Sequence, residues 1–315
     1  LSLGNVSNAN GSVNAVNFSG TTGTITIGSL SGVGNTRFGS NATLSGGMSN
    51  GTVNVVGLLS GDIYGGVVFA NALNAGVVSG GLSSITTVGT IGTMSGGSMA
   101  LGGLATVGTM SGGTLKLNGV GTSTIGTLNG GSLNLGSGVV ASVSGGTDAG
   151  TIVGSGSLTK SGVLTLSLSG ANSYSGATLV NQGVLNISDG SALGTTAGST
   201  TVASGAALEL QGGITVAEAL VLNGTGVSNG GVLRNVSGSN TVSGLVTLGS
   251  ASRINSDLNL LTLSGNVSGT GVGVSFGGVG DTTVSGVIGL GSGTLTKDGS
   301  GVLTLSGANT YSGAT

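Results

Sequence analysis

Apolar and polar residues alternate along many short segments of this chain, and glycine follows most of them. Residues 115–117 (LKL) and 133–135 (LNL) each place two leucines on one side and a polar residue on the other. Residues 163–168 (VLTLSL), 184–187 and 208–210 alternate in the same way. A period of two residues is typical of a strand with one buried face, so the pattern predicts many short β-strands.

One twelve-residue phrase occurs three times in tandem. It reads TIGTMSGGSMAL at 90–101, TVGTMSGGTLKL at 106–117 and TIGTLNGGSLNL at 124–135. A repeat period of about 20 residues indicates a stacked solenoid, and the starts of the three phrases are spaced close to this period. Glycine pairs predict the turns between the strands of each phrase; they are Gly96–Gly97, Gly112–Gly113 and Gly130–Gly131.

The alternation breaks by one residue in the first half of each phrase. Ile91 and Met94 are three residues apart, so both face inward only if Gly92 forms a corner or bulge. The same corner is predicted at Gly108 and Gly126. Helical patterns are almost absent, and the best short candidate, 216–222 (VAEALVL), alternates well enough to be interpreted as a strand.

A longer repeat overlies the short one. Residues 154–178 and 291–315 are identical at 18 of 25 positions at a constant offset of 137. Within this window SGVLTLS is displaced by two residues, so that Ser161 matches Ser300. A shift of two residues keeps each side chain on its own face of a strand, which favours a β conformation for both copies.

These residues carry a family resemblance. The run 158–187 (LTKSGVLTLSLSGANSYSGATLVNQGVLNI), with its second copy at 295–315, resembles the autotransporter-associated β-strand repeat. Residues 191–213 (SALGTTAGSTTVASGAALELQGG) are similar to the segment that follows such repeats. The resemblance implies a right-handed parallel β-helix that is exported across the outer membrane to the bacterial cell surface. It also implies an outer-membrane translocator as a partner.

The expected fold is therefore all-β, a right-handed single-stranded parallel β-helix with coils of roughly 16–22 residues. We expect one continuous solenoid over 1–315. Its coils are predicted to be less regular in 1–86, short and tandem in 87–146, and built around the autotransporter-type repeats at 154–187 and 291–315 in 147–315. The chain stops in mid-repeat and begins with LSLGNVS, which resembles the missing continuation. We expect either a piece of a longer protein or an end shaped to meet the start of another copy.

Composition supports an ordered solenoid and narrows the classes of partner. The chain has 71 glycines, no proline and a mean hydropathy of +0.49, which is too apolar for a disordered Gly/Ser-rich segment.

The net charge is −2 and the six basic residues are scattered, so the sequence shows no cluster of basic residues for binding nucleic acid. No apolar run approaches the ~18 residues of a membrane helix, which predicts no direct membrane insertion. No signal peptide is visible.

The chain lacks histidine and cysteine, which excludes Ser-His-Asp and Cys-His catalysis, imidazole or thiolate metal sites, and disulfides. Ser228 fits G-x-S-x-G in GVSNG (226–230), but no base is available to activate it. Ser157 and Lys160 fit S-x-x-K, a dyad that needs a helical turn, whereas these two lie on a strand. The second copy has Thr294 in place of Ser157. A solvated outer edge is the expected place for both residues.

The chain has eight carboxylates that are candidates for catalysis or metal binding. Asp281 and Asp298 are separated by about one coil and could stack at the ~5 Å separation of a retaining glycosidase. However, Ser161 replaces Asp298 in the other copy, and no clustered basic or aromatic residues form a sugar platform. Residues 277–284 (GGVGDTTV) nearly match a calcium-binding nonapeptide, with Asp281 one position early. Solvated turn aspartates are the simpler interpretation.

Two further features have structural interpretations. Tyr174 and Tyr311, in NSYSG and NTYSG, are expected to pack at corners with a bonded hydroxyl. The threonines of 21–27 (TTGTITI) could order ice-like water, although threonine is also an ordinary residue for the wet face of a strand.

We therefore expect no catalytic, cofactor-binding or metal-binding residues and no cofactor. The predicted function is that of a structural or adhesive extracellular β-solenoid, a stalk or filament building block. Its expected partners are copies of itself or neighbouring repeats of a longer chain, stacked end to end. The alternative is a carbohydrate-binding or carbohydrate-active β-helix.

Overall fold

The computed structural model describes residues 1–8, 16–18, 23–32 and 35–315. The protein is all-β, about 1% helical, and forms a parallel β-solenoid of about 15 turns, which confirms the predicted fold class. It divides into two compact units, Leu1–Ala141 and Ser142–Thr315. In the described part of the chain, no helix has the length and apolar character needed to cross a membrane.

The strands that lie wholly within the first unit are short at its start and longer towards its middle. They are β1 Ser2–Leu3, β2 Val6–Asn8, β3 Val16–Phe18, β4 Ile25–Ile27, β5 Leu30–Gly32, β6 Asn35–Phe38, β7 Ala42–Met48, β8 Thr52–Ile63, β9 Val67–Val78, β10 Leu82–Ile85, β11 Gly89–Met94, β12 Ser98–Leu101, β13 Ala105–Met110, β14 Thr114–Leu117, β15 Gly121–Leu128 and β16 Ser132–Leu135.

The second unit holds the remaining strands and one short 3-10 helix, Val227–Asn229. The strands are β17 Val139–Asp148 (which begins in the first unit), β18 Thr151–Gly154, β19 Ser157–Lys160, β20 Thr165–Leu168, β21 Thr178–Val180, β22 Val184–Ile187, β23 Thr200–Val202, β24 Ala207–Gln211, β25 Thr215–Val216, β26 Leu220–Gly224, β27 Leu233–Ser237, β28 Asn240–Val242, β29 Val246–Ser256, β30 Leu260–Leu263, β31 Val267–Gly269, β32 Val274–Gly277, β33 Asp281–Val284, β34 Ile288–Gly289, β35 Leu295–Lys297 and β36 Leu303–Leu305.

In the first unit the ladder step equals the spacing of the repeated phrase. Thr90 pairs in parallel with Thr106, and Thr106 pairs with Thr124, so each coil advances the chain by one phrase. Equivalent residues of each phrase therefore lie directly above one another. Inside, Met94 stacks on Met110 and Met110 on Leu128, which makes a continuous apolar column.

The predicted irregularity at Gly92 is confirmed. Ile91 and Met94 are both buried, and the ladder with β13 pairs Ile91 and Thr93 but leaves out Gly92. A Cβ on Gly92 would lie 2.5 Å from the carbonyl oxygen of Gly76, and a Cβ on Gly108 would lie 2.5 Å from that of Gly92. The glycine column thus lets neighbouring backbones approach where side chains would not fit.

Turns between the strands of each phrase also follow the prediction. Gly97 has a φ of 74° and Gly113 a φ of 77°, the left-handed conformation that favours glycine. Both lie in the short connections that precede β12 and β14. The glycine pairs of the phrase therefore redirect the chain at the same point of each coil.

In the second unit the coils are larger. Leu260 pairs with Asp281, which is a coil within the predicted size, but Leu220 pairs with Val246, which is a longer one. The longer coil contains the 3-10 helix, which adds residues outside the ladder. The predicted range of roughly 16–22 residues was therefore too narrow for this part of the chain. Strands β25, β28, β30, β33 and β36 form a separate five-stranded sheet.

The two long repeats keep the constant offset of the sequence in the structure. Leu166 and Leu168 are buried in β20, and their counterparts at this offset, Leu303 and Leu305, are half-buried on either side of the exposed Thr304 in β36. The two-residue slip of SGVLTLS is therefore not a structural shift. The additional residues are accommodated in the turn before the strand, and Gly162 and Gly299 both have a φ of 75° there.

Two predicted strands differ in extent from the sequence pattern. Val163 and Leu164 are 75% and 62% exposed in the turn, and β20 begins only at Thr165. The single strand predicted over 216–222 is wrong in its middle, because β25 ends at Val216 and β26 begins at Leu220, which leaves residues 217–219 outside both strands. The bend between them places Glu218 in the interior, where it is 4% exposed.

Candidate functional site

The most regular polar contacts of the second unit lie in the repeat SGANSYSGAT (169–178). Asn172 is buried, and its Oδ1 accepts a hydrogen bond of 2.8 Å from the backbone nitrogen of Ile152. Its Nδ2 donates to the carbonyl oxygen of Ala192 at 2.7 Å. One amide side chain therefore joins three successive coils. In the second copy, Asn309 Oδ1 accepts from Ile288 nitrogen at 2.8 Å.

The tyrosine of the repeat has the predicted role. Tyr174 is fully buried, and its hydroxyl lies 2.6 Å from Thr178 Oγ1. The pair Tyr311 and Thr315 repeats this contact at 3.0 Å. Burial raises the pKa of Tyr174 well above its ordinary value. Its ring packs at a corner and its hydroxyl is bonded, so it offers no exposed ligand platform.

Lys160 contradicts the expectation of a solvated outer edge. Its side chain is fully buried, and Nζ donates to the carbonyl oxygens of Ser161 and Gly162 at 2.8 Å and of Gln182 at 3.0 Å. Burial lowers the pKa of Lys160 to about 8. Three carbonyls satisfy the three donors of the ammonium group, so burial is tolerated.

The S-x-x-K dyad is not assembled. Ser157 is three residues from Lys160 on the same strand, so the two side chains lie on opposite faces. The ammonium group is held by carbonyls of the turn and of the next coil. Lys160 therefore stabilises the turn after β19 and has no geometry for activating Ser157.

Glu218 is the most perturbed carboxylate of the second unit. Thr200 Oγ1 donates to its Oε1 at 3.1 Å, whereas Oε2 is buried without a hydrogen-bond partner among the described residues. Burial raises the pKa of Glu218 to about 7. Glu218 borders a cavity of about 420 Å³, which Asn172 and Thr215 also line. The carboxyl group can change charge near neutral pH, but Oε2 itself is closed to solvent.

Asp281 and Asp298 bind different groups. Asp281 Oδ1 accepts from the backbone nitrogen of Val302 at 2.8 Å. Asp298 is engaged elsewhere, because both of its oxygens lie 2.7 Å from the guanidinium of Arg253. That contact lowers the pKa of Asp298. Each carboxylate therefore has its own structural partner.

Asp281 is also the acidic residue in the near-match to a calcium-binding nonapeptide at 277–284. Its carboxylate binds a backbone amide rather than joining other acidic residues. Within the described ranges, no three acidic side chains come close enough together to hold a metal ion.

A network of charged side chains was missed by the sequence reasoning. Arg234 lies 2.8 Å from Glu209 and 2.5 Å from Asp257, and Asn255 donates to Asp257. Glu209, Arg234 and Asn255 are consecutive partners in one ladder row. The basic residues are scattered along the sequence, but this row brings opposite charges together in the fold. The signal is the spacing of positions 209, 234 and 255, which can be recognised only when the unequal coil lengths are known.

Ser228 lies in the 3-10 helix and has a φ of 51°. The hydroxyl of Thr225 and the side-chain oxygen of Asn229 are 2.5 Å apart and close this turn. The G-x-S-x-G match therefore lies in a short turn, and the chain has no histidine to act as its base.

Residues 21 and 22 of the threonine-rich segment lie outside the described residues. Further along it, Thr26 pairs with Ser2 and Thr43, while Ile25 and Ile27 are buried. The interpretation of these threonines as ordinary residues of a wet strand face stays the prediction, and ice binding stays its alternative.

The family comparison identifies the repeat. The model of the Passenger-associated-transport-repeat matches residues 158–187 and 295–315. These two segments are similar to that repeat. Together with the parallel β-solenoid they fit an autotransporter passenger β-helix repeat protein, as the resemblance implied. Comparison with curated proteins and with solved structures gives no match. Such a repeat implies a secreted, surface-exposed passenger that is associated with an outer-membrane translocator.

Proposed function

We propose that this passenger segment is a structural, non-enzymatic building block of a cell-surface stalk or filament, with an adhesive role. One observation carries the proposal: the polar residues that the two repeats share bind backbone rather than face a common ligand. Asn172 and Asn309 hold neighbouring coils, and Lys160 and Lys297 hold the turns that follow them. The residues that both copies retain therefore maintain the coil itself.

The outermost coil of the second unit supports end-to-end stacking. Leu303 and Leu305 are half-buried there, whereas their counterparts Leu166 and Leu168 are covered by the following coil. Lys297 donates to the two carbonyls of its own turn, as Lys160 does. One further coil would cover the two leucines. It could come from a neighbouring repeat of a longer chain or from a second copy.

Electron microscopy of the purified chain at increasing concentration tests this proposal. We expect filaments or short linear assemblies whose length increases with concentration. Leu303→Lys would place a charge in the stacking surface and reduce assembly, whereas Thr304→Lys, on the outward face of the same strand, is the matched control. Isolated particles at all concentrations, or equal assembly by both variants, would overturn the end-to-end proposal.

The surface location needs its own test. We expect that the chain, fused to an autotransporter translocator in a Gram-negative host, is cleaved by protease added to intact cells. Protection of the chain in intact cells and cleavage only after lysis would contradict a surface role.

A further inference from the structure

The outward face of the first unit carries a row of unusual side chains. Arg37, Asn54, Phe69, Ser84, Ala100 and Lys116 are consecutive ladder partners on β6, β8, β9, β10, β12 and β14. Their neighbours along each strand face the core; Phe38, Val55 and Ala70, for example, are buried. The row therefore faces solvent, and Phe69 is 47% exposed.

Three cavities follow this row and share their walls. A cavity of about 320 Å³ is lined by Arg37, Asn54 and Val56. A second, of about 250 Å³, is lined by Asn54, Val56 and Phe69, and a third, of about 220 Å³, by Phe69, Ser84 and Ala100. Adjacent cavities share lining residues, and we call the three together the outer trough. Its lining is Arg37, Asn54, Val56, Phe69, Ser84 and Ala100.

The positions of the charged side chains in the first unit determine the charge of the outer trough. The first unit has two basic side chains, Arg37 and Lys116, and both belong to this row. Neither forms an ion pair in the part of the chain that the structure describes. The single acidic side chain of the unit, Asp62, is bound to Val77 nitrogen and to the Tyr64 hydroxyl. Within the outer trough itself the charged side chain is Arg37, so the trough carries a single positive charge although the whole chain has a net charge of −2.

The available groups favour a carbohydrate over a peptide strand. The backbone groups of β8, β9 and β10 are already paired in the ladder, so this face offers no edge for strand addition. It offers an amide, hydroxyls, a guanidinium, a half-exposed aromatic ring and the apolar side chains of Val56 and Leu82. An aromatic ring supplies apolar area in a fixed orientation, and a guanidinium binds carboxylates with two parallel hydrogen bonds.

The spacing of the strands also fits a carbohydrate ligand. Adjacent strands are ~4.8 Å apart, which is close to the length of one pyranose residue in an extended glycan. Arg37 and Phe69 are two strands apart, or about 10 Å. A sugar stacked on Phe69 would thus place a neighbouring sugar at Asn54 and an acidic substituent at Arg37.

We propose that the outer trough binds an extended acidic glycan, with Phe69 as the stacking platform and Arg37 as the carboxylate-binding residue. The inference does not depend on filament formation, because the row lies on the side of the coils and uses residues of a single copy.

The test is isothermal titration of the dispersed full chain with an oligogalacturonate hexasaccharide and with its methyl-esterified, uncharged form. We expect saturable binding of the acidic form that is at least tenfold tighter than binding of the ester. Phe69→Ala should weaken binding of the acidic form at least tenfold. Arg37→Gln should weaken it to the affinity measured for the ester, without changing the affinity for the ester.

Tyr64→Ala is the matched control, because Tyr64 is 49% exposed and lies outside the outer trough. It should bind like the parent chain, and the thermal midpoints of all three variants should show that they fold. No saturable binding of either glycan would overturn the proposal. So would equal losses for Phe69→Ala and Tyr64→Ala. Retention on anionic lipid vesicles without glycan binding would also overturn it.

Failure of the glycan experiment leaves the filament proposal intact, and the reverse also holds. The titration uses the dispersed chain, whereas the filament experiment scores length by microscopy. Leu303→Lys provides the cross-check: it should lose assembly and retain glycan binding.

Discussion

The side-chain oxygen of Asn172 lies 2.8 Å from the backbone nitrogen of Ile152, one coil earlier. The same side chain donates to Ala192 in the next coil at 2.7 Å. A parallel solenoid has irregular corners where backbone groups leave the ladder, and these groups still need partners when they are buried. Asn172 supplies both a donor and an acceptor at such a corner.

Replacement of this asparagine should therefore be costly. Asn172→Ala removes both contacts and leaves two buried backbone groups unsatisfied, so we expect a loss of about 2 kcal/mol or more. Urea denaturation followed by circular dichroism measures this loss. The matched control is Asn309→Ala, which removes the contact with Ile288 at a half-buried position and should cost less. Equal effects of the two substitutions would contradict the role of burial.

Glu218 should make stability depend on pH. Its pKa is raised by burial from 4.5 to about 7 in the folded protein, so the folded state binds more protons than the unfolded state between these values. Stability should therefore fall as pH rises from about 4.5 to about 7, by on the order of 3 kcal/mol. The absence of histidine leaves few other groups that titrate in this window.

Thermal midpoints at pH 5 and pH 8 measure the effect. Glu218→Gln keeps an acceptor for Thr200 but does not ionise, so it should reduce the difference between the two midpoints and stabilise the protein at pH 8. Glu209→Gln is the control, since that carboxylate is paired with Arg234, and the midpoint difference should persist. An unchanged difference in Glu218→Gln would show that the buried carboxyl group is not its source.

The glycine column predicts a steric effect. A Cβ on Gly108 would lie 2.5 Å from the carbonyl oxygen of Gly92, and the ladder leaves little freedom to move apart. Gly108→Ala should therefore destabilise the first unit by about 1–3 kcal/mol. Gly4→Ala is the control, since a Cβ there has no neighbour within 4 Å. Comparison of their urea midpoints checks the prediction, and a neutral or stabilising Gly108→Ala would contradict it.

The coil period of the first unit could be predicted because identical residues stack. Thr90, Thr106 and Thr124 occupy the same position of three phrases and of three adjacent strands. The spacing of the phrase is therefore a direct measure of the ladder step. No such regularity exists between 184 and 246, where the coil from Leu220 to Val246 is longer than its neighbours, and there the register could not be derived from spacing.

Lys160 shows a different kind of error. It is two residues after Leu158 on a strand, so the alternation itself places both side chains on the inward face. The expectation of an exposed lysine relied on its charge and disregarded this pattern. Its burial depends on carbonyls from a turn and from the next coil, contacts that only the folded chain brings together. The burial of Glu218 could not be predicted either, because the bend between β25 and β26 that turns it inward interrupts the alternation.

Disulfide trapping between adjacent coils tests the parallel stacking most directly, because the native chain has no cysteine. The outward side chains of Thr106 and Thr124 approach to 3.5 Å, and parallel neighbours have a Cα separation that a disulfide can span. The double substitution Thr106→Cys with Thr124→Cys should crosslink nearly completely under mild oxidation of the folded chain. Thr106→Cys with Ile125→Cys should not, because Ile125 faces the core. Equal crosslinking of both pairs, or none in the first, would contradict a parallel ladder in which Thr106 lies directly beside Thr124.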